Sequence, residues 1–272
     1  MPDIHAKFER FRQLHQLPEA FVIPNPWDAG SARILTALGF AALATTSAGL
    51  AFSLGCRDGA NQVSREHVLA NARAIVDATH LPVSADLESG YAPHAAGCAE
   101  TIRLASGTGL VGGSIEDTTG NPVTPIRDFS EAVDRVAAAA EAAHQLPFLL
   151  TARAENFLWG RPDLDDTIRR LQAFSAAGAH VLLAPGLPSL EVIRTVCASV
   201  DKPVNVVMGL KGPTWSVADL STAGVKRISV GGSLARAALG ALVRAAREVK
   251  DDGTFTYAAE AISHADATSF MA

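Results

Sequence analysis

Acidic residues in this sequence stand at the ends of short apolar runs. In PVSADLESGY, residues 82–91, Asp86 and Glu88 lie two apart before the chain breaks at Gly90-Tyr91. GGSIED (112–117) ends on Glu116 and Asp117, TARAEN (151–156) carries Arg153 and Glu155, and GCRDG (55–59) carries Arg57 and Asp58. Residues two apart in extended chain point the same way, so Asp86 and Glu88 can serve one target. Carboxylates without histidine suit a hard cation, Mg²⁺ or Mn²⁺, and Mg²⁺ keeps several of its waters. Asp58, Asp86, Glu88 and Glu116 are therefore the candidate cation-facing acids, one binding directly and the others through water. Arg153 offers a two-point clamp for a substrate carboxylate. Backbone N–H groups near Ser47, Ala48 and Gly49 can hold another anionic oxygen. Each piece also has a plain reading. Asp86 and the acids of GGSIED can cap the following helices, RDG can be a surface turn, and Arg153 with Glu155 can be a structural ion pair. The combination argues for a site, because acids gathered in one place repel unless a cation offsets them.

These residues need a scaffold that brings distant segments together. Apolar runs at 21–24, 41–46, 82–86, 112–116, 148–153, 180–185, 203–208 and 227–230 read as eight strands with helical segments between them. Their continuous apolar character suits parallel strands covered on both faces. The approaches to the strands alternate. The odd strands follow a proline (QLPEAF, HLPVSA, QLPFLL, DKPVNV) and the even ones a glycine (LGFAAL, TGLVGG, AGAHVL, AGVKRI). Glycine ends a helix in the left-handed conformation, and proline cannot continue one. Eight such units predict a TIM (β/α)₈ barrel spanning 1–272 as one domain, with chemistry at the C-terminal ends of the strands. An eighth helix at roughly 233–249 and a further helical tail over about 250–272 complete the expectation.

Composition narrows the function. The chain of 272 residues is 48% hydrophobic and carries a net charge of −5. No lysine/arginine block marks a nucleic-acid or membrane surface, and no apolar run is long enough to span a bilayer. The charged N-terminal segment reads as an amphipathic helix, not a signal peptide. Three scattered cysteines, Cys56, Cys98 and Cys197, fit a reducing cytoplasm better than a disulfide framework. Trp159 and Trp215 read as packing, and the histidines show no ligand spacing.

With NPWDAGSARILTALGFAALATTSAGLAFSLGCRDG (25–59), PVSADLESGY, GGSIED, TARAENF and DLDDTIRRLQAFSAAGAHVLLAPG (163–186) in view, the chain resembles the isocitrate lyase/phosphoenolpyruvate mutase superfamily over nearly its whole length. The resemblance implies a TIM-like barrel whose eighth helix is exchanged between subunits of a homodimer or homotetramer. It also implies Mg²⁺-assisted making or breaking of C–C or P–C bonds in small 2-oxo or hydroxy acids through an enolate. It assigns Asp86, Glu88 and Glu116 to the metal. Asp58, Glu116 and Arg153 become catalytic candidates. Trp27, Thr46, Ser47, Ala48, Gly49, Asp86, Arg153 and Asn205 become the substrate-binding candidates. The departures matter. Where the lyases carry a cysteine-bearing gating motif, this chain reads DTTGNPVT (117–124), without cysteine or lysine and with only Asn121. Where the family has a histidine or glutamate after the sixth strand, Pro185 stands. A reaction in which water protonates the enolate fits best: cleavage of an oxaloacetate-like 2-oxo acid. A phosphonomutase or (methyl)isocitrate lyase activity, or non-catalytic 2-oxo acid binding, are the alternatives.

Overall fold

The computed structural model describes residues 3–60 and 62–272. Eight strands appear where the apolar runs predict them: β1 (Phe21–Ile23), β2 (Leu43–Ala44), β3 (Val83–Asp86), β4 (Gly112–Glu116), β5 (Leu149–Arg153), β6 (Val181–Leu183), β7 (Val204–Val207) and β8 (Arg227–Ser229). All pairings are parallel, in the order β1-β8-β7-β6-β5-β4-β3-β2. The seam between β1 and β2 carries no ladder. A single backbone bond crosses it, from Ala44 N–H to the Pro24 carbonyl at 3.0 Å. Asn25 reinforces the join: its amide donates to the Thr45 carbonyl at 2.9 Å and its oxygen accepts from the N–H groups of Val230 and Gly231. The result is a nearly closed TIM (β/α)₈ barrel.

Helices alternate with the strands. They are α1 (Ile4–Leu14), α2 (Ala29–Ala37), α3 (Ser47–Ser53), α4 (Arg65–Asp77), α5 (Ala95–Ser106), α6 (Phe129–His144), α7 (Leu164–Ala176), α8 (Leu190–Ser199), α9 (Val217–Thr222), α10 (Ser233–Arg247) and α11 (His264–Phe270). The alternation of proline and glycine has a direct structural counterpart. Gly39, Gly109, Gly178 and Gly224, which precede β2, β4, β6 and β8, all have positive φ, between 84° and 103°. A side chain is strained in that conformation.

Two features decide what the barrel presents. The first is α1, which closes the N-terminal end. Phe11 is fully buried and meets His15 and Phe21 edge-on, with ring centroids 4.8 and 6.5 Å away. The second is α10, which buries only Ala235 and leaves Leu239, Leu242 and Val243 exposed at 40%, 62% and 46%. An apolar helix face of this kind is normally covered. The tail is less regular than the single helix expected from sequence. Gly253, at φ 67°, ends the helical run, and a 3₁₀ turn (Thr256–Ala259) precedes α11. Arg33 of α2 then holds the tail by donating to the Met271 and Ala272 carbonyls at 3.1 and 2.9 Å. No helix among the described residues is long and apolar enough to cross a membrane.

Candidate active site

The C-terminal ends of β3, β4 and β5 bring Asp86, Glu116 and Arg153 to one place. Arg153 spreads its guanidinium across three carboxylates: Nη1 donates to Asp86 at 3.0 Å, Nη2 meets Glu116 at 3.0 Å, and Nε donates to Glu155 at 2.7 Å. Ser47, the first residue of α3, donates its hydroxyl to the other Asp86 oxygen at 2.8 Å and its N–H at 3.3 Å. The Asp86 N–H donates in turn to the Thr45 hydroxyl at 3.0 Å.

The capping alternative fails for these acids. The helix after β3 starts at Ala95 with His94 at its N-cap, and the helix after β4 starts at Phe129 with Asp128 there. The acids that do cap helices are elsewhere: Asp28 accepts from the Ser31 N–H at 2.7 Å, and Asp163 from the Asp166 N–H at 2.9 Å. Asp117 has a different task, behind the mouth. Its carboxylate accepts from the Glu155 N–H and pairs with Arg170 at 3.2 Å.

Glu88 and Tyr91 both have positive φ, 45° and 51°. Non-glycine residues adopt this conformation at a cost, and such strain gathers at functional sites. The turn buries the Tyr91 hydroxyl without a hydrogen-bond partner among the described residues. Burial, then Asp86 and Glu116, push the Glu88 pKa up to about 7. Burial, then Asp86, raise that of Asp58 as well, and burial raises Glu116 against the pull of Arg153. Burial alone would lower the Arg153 guanidinium pKa, but Glu155, Glu116 and Asp86 raise it above its ordinary value. Three carboxylates thus share one guanidinium, with Asp58 and Glu88 near them, so acids outnumber the cation.

A cavity of about 400 Å³ opens beside this cluster and runs into the barrel. Of the expected substrate-binding residues, Thr46, Ser47, Ala48, Asp86, Arg153 and Asn205 line it, as does Asp58. Trp27 and Gly49 do not. They pack on each other: a Cβ added to Gly49 would sit 2.7 Å from the Trp27 Cβ and from a Thr46 methyl. Glycine is needed here for close approach behind the wall. The expected amide cradle is also partly used up. The Ser47 N–H goes to Asp86 and the Gly49 N–H to the Thr46 hydroxyl. Asn205 is fully buried, with its amide committed to Ser229 and its oxygen to Arg227. Arg227 also lines the cavity and was not singled out from the sequence.

As a donor set the mouth fits a hard divalent cation: every acid is an oxygen ligand, and positive charge would relieve their mutual repulsion. Among the described residues, however, no three acids already converge on one point, because the Arg153 guanidinium lies between Asp86 and Glu116. One direct carboxylate, Asp86, with others acting through water is the arrangement the residues can supply.

The loop after β4 is closed on itself. Thr118 and Ile126 form an antiparallel bridge, the Thr119 N–H donates to the Pro125 carbonyl at 2.9 Å, and Asn121 accepts from the Val123 N–H at 2.9 Å. From the loop, the Thr118 hydroxyl donates to Glu116 at 2.6 Å, and Asp117 at its start accepts from the Glu155 N–H.

Known proteins match this architecture. The family profile described as phosphoenolpyruvate phosphomutase covers residues 11–250. A crystal structure of a candidate lyase/mutase from Burkholderia cenocepacia is 53% identical, with a TM-score of 0.96 over 100% of this chain and 98% of that one. The 2-methylisocitrate lyase of Escherichia coli is 28% identical over 74% of this chain and 69% of its own length. The oxaloacetate decarboxylase of Chromohalobacter salexigens is 26% identical over 92% and 88%. The chain belongs to the phosphoenolpyruvate phosphomutase family, within the isocitrate lyase/phosphoenolpyruvate mutase superfamily of lyases and mutases.

Proposed function

We propose that the chain is a divalent-cation-dependent lyase or hydrolase that cleaves a C–C bond of a small, oxaloacetate-like 2-oxo acid. The observation that carries this reading is the surplus of carboxylates around Arg153 at the open end of the barrel. Asp86, with Glu88 and Glu116 behind it, would hold a Mg²⁺ or Mn²⁺ ion, which would supply the positive charge that stabilises an enolate. The protein does the rest. Arg153 fixes the Asp86 and Glu116 carboxylates in position and presents its charge to the cavity. Thr46 provides a hydroxyl, and Ala48 an amide, for the substrate carboxylate, while the Ser47 hydroxyl holds Asp86. Asp58 lies across from Asp86, where it orients water or the departing group. The loop after β4 supplies no cysteine, lysine or histidine, so water returns the proton to the enolate carbon. The match to an oxaloacetate decarboxylase over 92% of the chain agrees with this chemistry.

A panel of 2-oxo acids with and without Mg²⁺ tests the reading. Pyruvate or oxalate released from oxaloacetate or a substituted analogue, and abolished by chelation, is expected. Cation-dependent glyoxylate from a hydroxy tricarboxylate would instead favour the isocitrate lyase type of reaction. Tight binding without product at high enzyme concentration would favour a binding protein.

The uncovered face of α10 supports a homo-oligomer in which a second copy takes Leu239, Leu242 and Val243. Light scattering should give a dimer or tetramer, and Leu242→Arg should shift it toward monomer.

A further inference from the structure

The interior of a TIM barrel is ordinarily filled by layers of branched apolar side chains. Here the cavity runs inward past Ser84, Ser114 and Ser229 to Arg227, the first residue of β8. Small hydroxyl residues leave space where Val, Ile or Leu would fill it. Arg227 is only 5% exposed. Its Nε donates to the Asn205 oxygen at 2.8 Å, its Nη2 to the Thr151 hydroxyl at 2.8 Å, and its Nη1 faces His15 Nε2 at 3.3 Å. Because that histidine nitrogen must accept, the other carries the proton and donates to the Phe11 carbonyl, 2.8 Å away. Burial, and Arg227 beside it, pull the His15 pKa down to about 3, so the ring is neutral. Every partner of Arg227 is therefore uncharged. Burial draws its pKa down to about 9, and no carboxylate offsets this. At neutral pH the guanidinium keeps its charge. Three of its five N–H groups are engaged, which leaves two for a ligand. A buried charge without a counter-charge is costly, and the open cavity gives an anion access to it.

We propose that Arg227, held in place by Asn205 and Thr151, forms with the serines above it an anion subsite at the floor of the cavity that takes the far carboxylate of a dicarboxylic 2-oxo acid. Thr151, which Arg227 bonds, lies two residues below Arg153 on β5, about 7 Å along the strand. A 2-oxo acid group at the mouth and a second carboxylate on a short chain fit that separation. The inference rests on the proposed function, since it assigns the other end of the same substrate.

Calorimetry in Mg²⁺ with near-isosteric pairs tests it: 2-oxoglutarate against 2-oxovalerate, and oxaloacetate against 2-oxobutyrate. The wild type should bind the dicarboxylate of at least one pair about 10–100-fold more tightly, the range of a hydrogen bond to a charged group. Arg227→Met should reduce that preference to within about twofold. An unchanged preference in Arg227→Met, or no preference in the wild type, overturns the proposal. Should Arg227→Met fail to fold, a bromide soak of wild-type crystals still decides. Anomalous density at the guanidinium is expected, and its absence overturns the anion site. Bromide density without any dicarboxylate preference would make a free small anion the occupant and end the substrate assignment. If no 2-oxo acid binds with Mg²⁺ at all, the proposed function falls, while the bromide soak judges the floor independently.

Discussion

Arg153 and Arg227, at the mouth and the floor of one cavity, live in opposite electrostatic worlds. At the mouth, Arg153 is shared by Asp86, Glu116 and Glu155, with Asp58 and Glu88 close behind. At the floor, Arg227 meets only neutral groups: Asn205, Thr151 and a neutral His15. The mouth has too much negative charge for its own cation, and the floor has a cation without an anion. Within one cavity, the first arrangement suits a divalent metal ion and the second a carboxylate. Neither end is balanced by the protein alone, which is how a ligand rather than the fold would complete the charge pattern.

Several substitutions break or sharpen this contrast. The largest effect is expected at Asp86. Asp86→Ala should lower cation-dependent turnover by at least about a thousandfold, with the circular dichroism spectrum unchanged; a loss under tenfold would remove Asp86 from the centre of the site.

Stability should separate the two arginines next. Arg153→Met strands three buried carboxylates and should cost about 3–5 kcal/mol in denaturant unfolding. Arg227→Met removes an uncompensated buried charge and should stay within about 1 kcal/mol. Equal costs would mean that the floor charge is balanced after all.

Glu88 gives a pH signature. Its folded pKa, about 7, lies above the ordinary carboxylate value, so the folded state binds the proton more tightly than the unfolded one. Its contribution is present below the unfolded pKa and is lost as pH rises through 7. Glu88→Gln should therefore gain stability relative to wild type, by about 1–3 kcal/mol, as pH goes from 5 to 8 in chelator. A flat difference would mean that Glu88 is not crowded by its neighbours. The smallest effect is expected for Asn121→Ala, in the self-bonded loop after β4. It should change turnover by less than about twofold; a large loss would mean that this loop reaches the substrate.

The scaffold is legible in the sequence because its signals are local. A proline or glycine ahead of each apolar run reports a helix end through backbone sterics, and the φ values of Gly39, Gly109, Gly178 and Gly224 show that mechanism at work. Asp86 and Glu116 are legible because polar residues at the ends of parallel strands meet at one pole of the barrel. The floor is not legible in this way. Arg227 reads as the polar start of a strand in AGVKRISV, and only closure of the sheet brings it against Thr151 and His15, 76 and 212 residues away. A charge inside an otherwise apolar strand was the available hint. Trp27 and Gly49 meet by a close approach between the loop after β1 and the first turn of α3, which the sequence does not announce. Asn205 lines the cavity and also holds Arg227.

Mn²⁺ titration followed by electron paramagnetic resonance, with and without a 2-oxo dicarboxylate, tests the central claim most directly. The wild type should bind one Mn²⁺ per chain, more tightly when the 2-oxo acid is present, and Asp86→Ala should lose that site while remaining folded. Unchanged Mn²⁺ affinity in Asp86→Ala, or no binding by the wild type, would contradict a cation-dependent site at the barrel mouth.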